Sequence, residues 1–288
     1  MSAIILDGRL KANEIKQNLT QEIERLKALS GCVPRLAALQ IGDETSFSVY
    51  VNSQKKAAEE IGIDYRLVKL PSDCTEKCLI DNILSLNNDK DISGIILQSP
   101  LPAVFNIVKI SSFILSDKDV EGVNPENKGK LLLNSYKVVP PTASAVMELI
   151  ELSGISLKGK EAVIIGHSGI VGKPLAMLLL DKLCTVTVCH IETYKRGNLS
   201  EHIKRAEVLI TSAGRPNLVQ GQWVKENAVV IDVGINRIGD KIVGDVEFDE
   251  ACLRASYISP VPGGVGPLTA TILMRNCLEL FKNQRNLR

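Results

Sequence analysis

A chain of 288 residues with 45% hydrophobic and 23% charged composition is long enough to bury two medium cores, and two domains are expected. The formal charge is +1 with both signs interspersed, which gives no electrostatic ground for a nucleic acid or an anionic membrane as partner. No apolar run reaches membrane-span length, and the N-terminus lacks a basic segment followed by a long apolar core, so a cytoplasmic protein acting on a small molecule is expected.

In chain order, residues 8–29 carry apolar positions at helical spacing and 35–42 read as a short buried strand. A helix over 46–61, a strand over 64–70, a helix over 75–88 and a strand over 93–98 follow, the last ending at the breaker Ser99-Pro100-Leu101-Pro102. This alternation predicts α/β architecture with a parallel sheet. From Ser116 to Pro141 the periodicity fades into a segment rich in Asp, Asn, Gly and Pro, read as a long functional loop leading to a domain junction near Val139. The second half restarts with a helix at 142–154. It then alternates strands (161–166, 185–189, 207–214, 228–235) with helices, the doubly wound pattern of dinucleotide-binding domains. An apolar helix at 269–281 closes the chain.

The seven cysteines are odd in number and scattered, which suits reduced thiols. Cys74 and Cys78 are near each other, but the histidines lie far from them in sequence, and no metal is expected.

The strand at 161–165 runs directly into Gly166-His167-Ser168-Gly169-Ile170-Val171-Gly172, after which a helix begins. Glycines there let a backbone approach a pyrophosphate, and the helix N-terminus offers free N–H groups. By itself the loop fits equally a tight turn that binds nothing. Thr211 to Pro216 and Ile231 to Asn236 also place glycine at the C-terminal ends of strands, the edge where open α/β sheets bind ligands. Pro260 to Pro267, PVPGGVGP, adds a rigid loop with few side chains.

Together these stretches resemble the methylenetetrahydrofolate dehydrogenase / methenyltetrahydrofolate cyclohydrolase family. The residues that carry the resemblance are Ile5-Leu6-Asp7-Gly8, Tyr50-Val51 with Lys56-Ala57, Gln98 to Pro102, Asp117 to Val120, the glycine loop, Ile231 to Gly234 and Pro260 to Pro267. The resemblance runs essentially end to end. It implies an N-terminal α/β folate domain, residues 1–138 with the returning helix 268–288, and a Rossmann-type doubly wound domain at 139–267. Homodimers are common in the family. Tetrahydrofolate derivatives would meet Tyr50, Gln98, Pro100, Leu101, Glu121, Pro262, Gly263 and Gly264. Catalytic roles fall to Tyr50, the residue at Gln54, Gln98 and Glu121. NAD or NADP would meet Gly166, His167, Ser168, Gly169, Ile170, Val171, Glu192, Ala213, Gly214, Pro216, Gly234, Ile235, Asn236 and Thr269.

Four departures bear on the chemistry. Family members usually carry lysine where this chain has Gln54, and Lys55 and Lys56 lie about 100° and 200° away around a helix. Hydride transfer from the methylene carbon formally needs no protein base, whereas hydrolysis of the methenyl product moves protons and glutamine cannot titrate. The expectation is therefore a dehydrogenase with a weak or absent cyclohydrolase step. The alternatives are a fully bifunctional enzyme and a folate- or dinucleotide-binding relative without turnover. Glu121 stands where the family has aspartate, and its carboxylate could still accept two hydrogen bonds from the pterin after a shift of loop or ring. Phe47 and Pro141 replace more polar family residues. Glu192 follows the second Rossmann strand where NADP-using relatives often carry lysine or arginine, and His167 replaces a frequent arginine. This favours NAD, although Lys195 and Arg196 follow closely. His190 and His202 are given no role.

Overall fold

The computed structural model describes residues 2–42, 45–99 and 101–287, and the side chains of residues 45–50 fall outside that description. The elements in chain order are β1 (Ile4–Ile5), α1 (Gly8–Ser30), β2 (Arg35–Ile41), α2 (Thr45–Ile61), β3 (Asp64–Leu70), α3 (Glu76–Asn88), β4 (Gly94–Leu97), α4 (Ile107–Ser111), α5 (Pro125–Leu132) and α6 (Pro141–Leu152). They continue with β5 (Glu161–Ile165), α7 (Gly172–Asp181), β6 (Thr185–Cys189), α8 (Ile191–Lys195), α9 (Leu199–Arg205), β7 (Val208–Thr211), β8 (Val229–Asp232), β9 (Asn236–Ile238), β10 (Lys241–Val243), α10 (Phe248–Cys252), β11 (Tyr257–Ile258) and α11 (Val265–Gln284). No helix among the described residues is long and apolar enough to cross a membrane.

Two compact units result. One comprises Asn13–Pro141 and Ala270–Arg288, the other Met1–Ala12 and Thr142–Thr269. The first holds a three-stranded parallel sheet in the order β3-β2-β4. Leu36, Ala37, Ala38 and Leu39 of the central β2 are fully buried, the continuous apolar pattern of a strand covered on both faces. Thr75 caps α3 by accepting the Cys78 N–H, and Leu79, Ile83 and Leu86 form the buried stripe of that helix at spacings of four and three. The late helix α11 buries Cys277 and Phe281 completely, and its Asn276 amide donates to the carbonyls of Val120 and Val139, both at 2.9 Å.

The segment expected as a long loop contains α5. Asn124 accepts the Glu126 N–H and Pro125 occupies the first turn, so cap and proline together start a helix that apolar periodicity alone does not reveal.

The second unit holds six parallel strands in the order β1-β11-β8-β7-β5-β6. Its inner strands β5, β7 and β8 are almost wholly buried, whereas β6 at the edge is partly exposed. The antiparallel hairpin β9–β10 forms a separate two-stranded sheet that the sequence pattern does not predict. Residues 1–12 group with this unit and not with the N-terminal domain, because β1 pairs with β11. A strand of two residues is too short for periodicity to assign.

Candidate active site

Three side chains meet at the C-terminal end of β4. Gln98 follows that strand, its N–H bonded to the Leu39 carbonyl at 2.9 Å, and its amide Nε2 donates to Gln54 Oε1 at 2.7 Å. Tyr65, from β3, donates its hydroxyl to the same oxygen at 3.0 Å. Gln54 is fully buried on α2 and Gln98 nearly so. Lys55 and Lys56 point to the exposed face, where they pair with Glu59 and Glu60 one turn later, as the helical spacing predicts. The cluster is therefore neutral.

On the free side of β4 runs the chain at 118–119. Ile95 donates its N–H to Lys118 O at 2.7 Å and bridges Asp119. Gly94 permits this approach, since a Cβ there would lie 2.3 Å from Val120 Cγ1. The fully buried Asp119 accepts the N–H groups of Glu121 and Asn124 and the amide of Asn127. Lys118 gives its ammonium to the carbonyls of Leu86 and Asp89 at the end of α3, and burial lowers its pKa. Glu121 is pushed up to about 8, first by burial of its carboxyl and then by the Asp119 charge, with a hydrogen bond from the Leu97 backbone opposing both. Gly122 adopts φ +63°, and a Cβ there would lie 3.1 Å from Pro140 Cδ.

In the other unit, β5 delivers the chain into the glycine loop. Gly166 adopts φ +123°, and a Cβ there would fall 2.4 Å from Ser212 Oγ, so only glycine fits. A Cβ on Gly172 would lie 2.1 Å from Gly166 O. The loop folds over the start of α7, whose N-cap residue Val171 provides no side-chain cap. His167, Ser168, Gly169 and Ile170 are exposed there, an arrangement suited to an anion. A cavity of about 300 Å³ opens between this loop, the chain at 190–194 and the residues after β7. His167 and His190 stand 5.3 Å apart, centroid to centroid, on its wall.

His190 has a role the sequence did not suggest: it caps α8 through Nδ1, which accepts the Glu192 N–H at 3.3 Å, and it lines the cavity. Arg215 is a second residue that local sequence does not mark. Its guanidinium lies 4.5 Å above the Tyr194 ring, and both residues line the cavity. Glu192 itself pairs with Lys195 at 2.6 Å and is absent from the cavity wall.

The residues after β7 are held by Asp245, a fully buried carboxylate that accepts the N–H groups of Ala213 (2.6 Å), Gly214 (3.1 Å) and Arg215 (2.9 Å) and the Asn236 amide (2.9 Å). Those donors are thereby engaged by the protein. Asp232, at the end of β8, accepts the Thr211 hydroxyl and the N–H groups of Gly234, Asp245 and Val246. Burial, with the Asp245 charge adding to it, raises its carboxyl to about 6.

Gly234 and Ile235 share the wall of a second cavity, of about 160 Å³, with Arg9, Pro262, Gly263 and Gly264. The Val261–Pro262 peptide is cis. Gly8 donates its N–H to Gly263 O at 3.0 Å, and a Cβ on Gly8 would lie 1.8 Å from Gly264 O, which explains glycine after the Asp7 that caps α1. Thus expected cofactor positions (Gly234, Ile235) and expected substrate positions (Pro262, Gly263, Gly264) come together in one cavity. Thr269 is buried and bonds the Val265 carbonyl of its own helix. Pro216 is exposed, and Leu101 packs on the core of the first unit. Pro100 and the side chains of Tyr50 and Phe47 lie outside the described residues.

The sequence profile of the tetrahydrofolate dehydrogenase/cyclohydrolase catalytic domain matches residues 6–121, and that of the NAD(P)-binding domain of the same family matches residues 140–285. The bifunctional protein FolD of Acetivibrio thermocellus is 45% identical over 289 residues, covering 100% of both chains. Among solved structures, the bifunctional FolD methylenetetrahydrofolate dehydrogenase/cyclohydrolase of Campylobacter jejuni superposes with a TM-score of 0.95 at 42% identity, over 98% of this chain and 99% of that one. The Trypanosoma brucei dehydrogenase-cyclohydrolase, complexed with NADP and an inhibitor, gives 0.94 at 37% identity over 98% of each chain.

Proposed function

This chain belongs to the tetrahydrofolate dehydrogenase/cyclohydrolase family, and from that premise we propose that it oxidises 5,10-methylenetetrahydrofolate to the 5,10-methenyl form with NAD(P) while its hydrolytic step is weak or lost. The observation that carries the second half is the neutral cluster at Gln54. Hydrolysis requires water to lose a proton as it attacks the methenyl carbon and a ring nitrogen to gain one as the C–N bond breaks. Gln54, Gln98 and Tyr65 hold one another by hydrogen bonds, and the two neighbouring lysines are exposed and paired with glutamates.

The dehydrogenase step asks less of the protein. A bound dinucleotide supplies the hydride acceptor, and the product cation is shared between two folate nitrogens, so orientation and water exclusion do most of the work. The glycine loop and open start of α7 suit the pyrophosphate, Glu121 suits the pterin N–H groups, and the cavity walled by Gly234, Ile235 and Pro262 to Gly264 suits a flat ring. We assign the protein as a homodimer by the family pattern.

NAD is the proposed acceptor, because the segment after β6 carries Glu192, paired with Lys195, and turns no lysine or arginine of its own to the cavity wall. Arg215 and the two histidines on the cavity wall favour a second reading, in which a 2′-phosphate is accommodated and NADP is used. The ratio of kcat/KM for the two dinucleotides decides between them. The product of the reaction tests the main proposal: methenyltetrahydrofolate should accumulate and hydrolyse no faster than in buffer. Accelerated formation of 10-formyltetrahydrofolate would refute it.

A further inference from the structure

An amide can present either end to a ligand, and the surroundings of Gln54 select one. Its Oε1 receives two donors, the Tyr65 hydroxyl at 3.0 Å and Gln98 Nε2 at 2.7 Å, and these two donors are themselves 3.4 Å apart. Turning the amide over would set N–H against the Gln98 N–H. The other end, Nε2, is buried and has no hydrogen-bond partner among the described residues. A buried N–H₂ group left unmatched is unfavourable until an acceptor arrives.

We propose that Tyr65 is a positioning residue for the folate: together with Gln98 it fixes the Gln54 oxygen, so that Gln54 Nε2 is the donor offered to a neutral acceptor of the bound pterin, a carbonyl oxygen or ring nitrogen. The inference rests on the folate reading of this site given above. It also gives Gln54 a use beyond the absence of a base. The family position that would carry a proton becomes a fixed hydrogen-bond donor, and β3 joins α2 and β4 in defining specificity.

The test is a double-mutant cycle on the full chain with Tyr65→Phe, Gln54→Met and the pair, since the cycle isolates what Tyr65 does through Gln54. Tyr65 is only half-buried, so loss of its hydroxyl alone leaves the packing surface intact. Initial rates give KM for 5,10-methylenetetrahydrofolate and for the dinucleotide, and titration with 5-formyltetrahydrofolate gives binding without turnover. Tyr65→Phe is expected to raise folate KM and Kd about three- to tenfold, the range of one hydrogen bond, with dinucleotide KM unchanged. In the Gln54→Met background the same substitution should have no further effect. Folate KM and Kd within twofold of wild type for Tyr65→Phe, or an equal rise in the Gln54→Met background, would overturn the proposal. Failure of the functional reading looks different: the wild type would bind 5-formyltetrahydrofolate without reducing the dinucleotide, and the titrations would still judge Tyr65. A wild type that binds no folate overturns both.

Discussion

Glu121 offers a quantitative handle on folate recognition. Its carboxyl is held at about 8 by burial and by Asp119, so at neutral pH the ligand-free protein carries it mostly as the neutral acid. The pterin presents N–H groups, and only the carboxylate accepts two of them. Binding therefore draws on the ionised fraction, about 1% at pH 6 and about half at pH 8 by ordinary titration, and apparent affinity is reduced by that fraction. Folate KM should fall roughly 50-fold from pH 6 to pH 8 and level off above pH 9. Initial-rate assays of dinucleotide reduction across this range, with dinucleotide KM measured in parallel, read the effect directly. Glu121→Gln should bind folate weakly but with a flat profile. A wild-type folate KM that changes less than threefold over this interval, or an equal slope in Glu121→Gln, would refute the reasoning.

Further outcomes follow from the other buried groups. Gln54→Lys should bring a measurable acceleration of methenyltetrahydrofolate hydrolysis while dinucleotide reduction continues, checked by following loss of the methenyl chromophore. Asp245→Asn sets an amide against the N–H groups of Ala213, Gly214 and Arg215. It should cost about 2 kcal/mol or more of stability in chemical denaturation and raise dinucleotide KM more than folate KM. Asp232, raised to about 6, retains protons in the folded state that the unfolded chain releases near pH 4. Its contribution therefore falls by about 3 kcal/mol as pH rises from 4 to 6, a slope that Asp232→Asn should remove from denaturation curves measured against pH. Gly8→Ala drives a methyl group into the Gly264 carbonyl. A loss of about 1–3 kcal/mol, seen as a lower thermal midpoint, is expected.

The parts of the fold legible in the sequence are those governed by periodicity. The strand at 64–70 and the strand at 185–189 lie where alternation and bounding turns put them, and the long helices α1 and α2 begin within a residue of their expected starts. Elements built from capping or long-range pairing were not legible. The helix α5 depends on Asn124 and Pro125, and β1 exists only because residues 4–5 find β11, some 250 positions later. At the site, Gln54, Gln98 and Glu121 were visible through family resemblance, but their environment was not. Tyr65 reads as one residue of an alternating edge strand, and nothing local tells that its hydroxyl reaches α2. Asp245 follows an ordinary-looking glycine, and its hold on three backbone N–H groups is a tertiary fact. Arg215 stands between Gly214 and Pro216 in what reads as turn punctuation, and nothing local tells that its guanidinium lies over Tyr194.

The pairing of β1 with β11 also constrains how the molecule is made. On a ribosome residues 4–5 are made some 250 positions before the strand that pairs with them. The helix that brings Phe281 into the other core is later still. Neither unit has its full set of core residues until β11 and α11 have been made, so until then the nascent chain carries Ala3, Leu6 and the apolar strands without their final partners. Chaperone engagement should therefore persist until residues 257–284 have emerged, and neither unit can complete its fold before then.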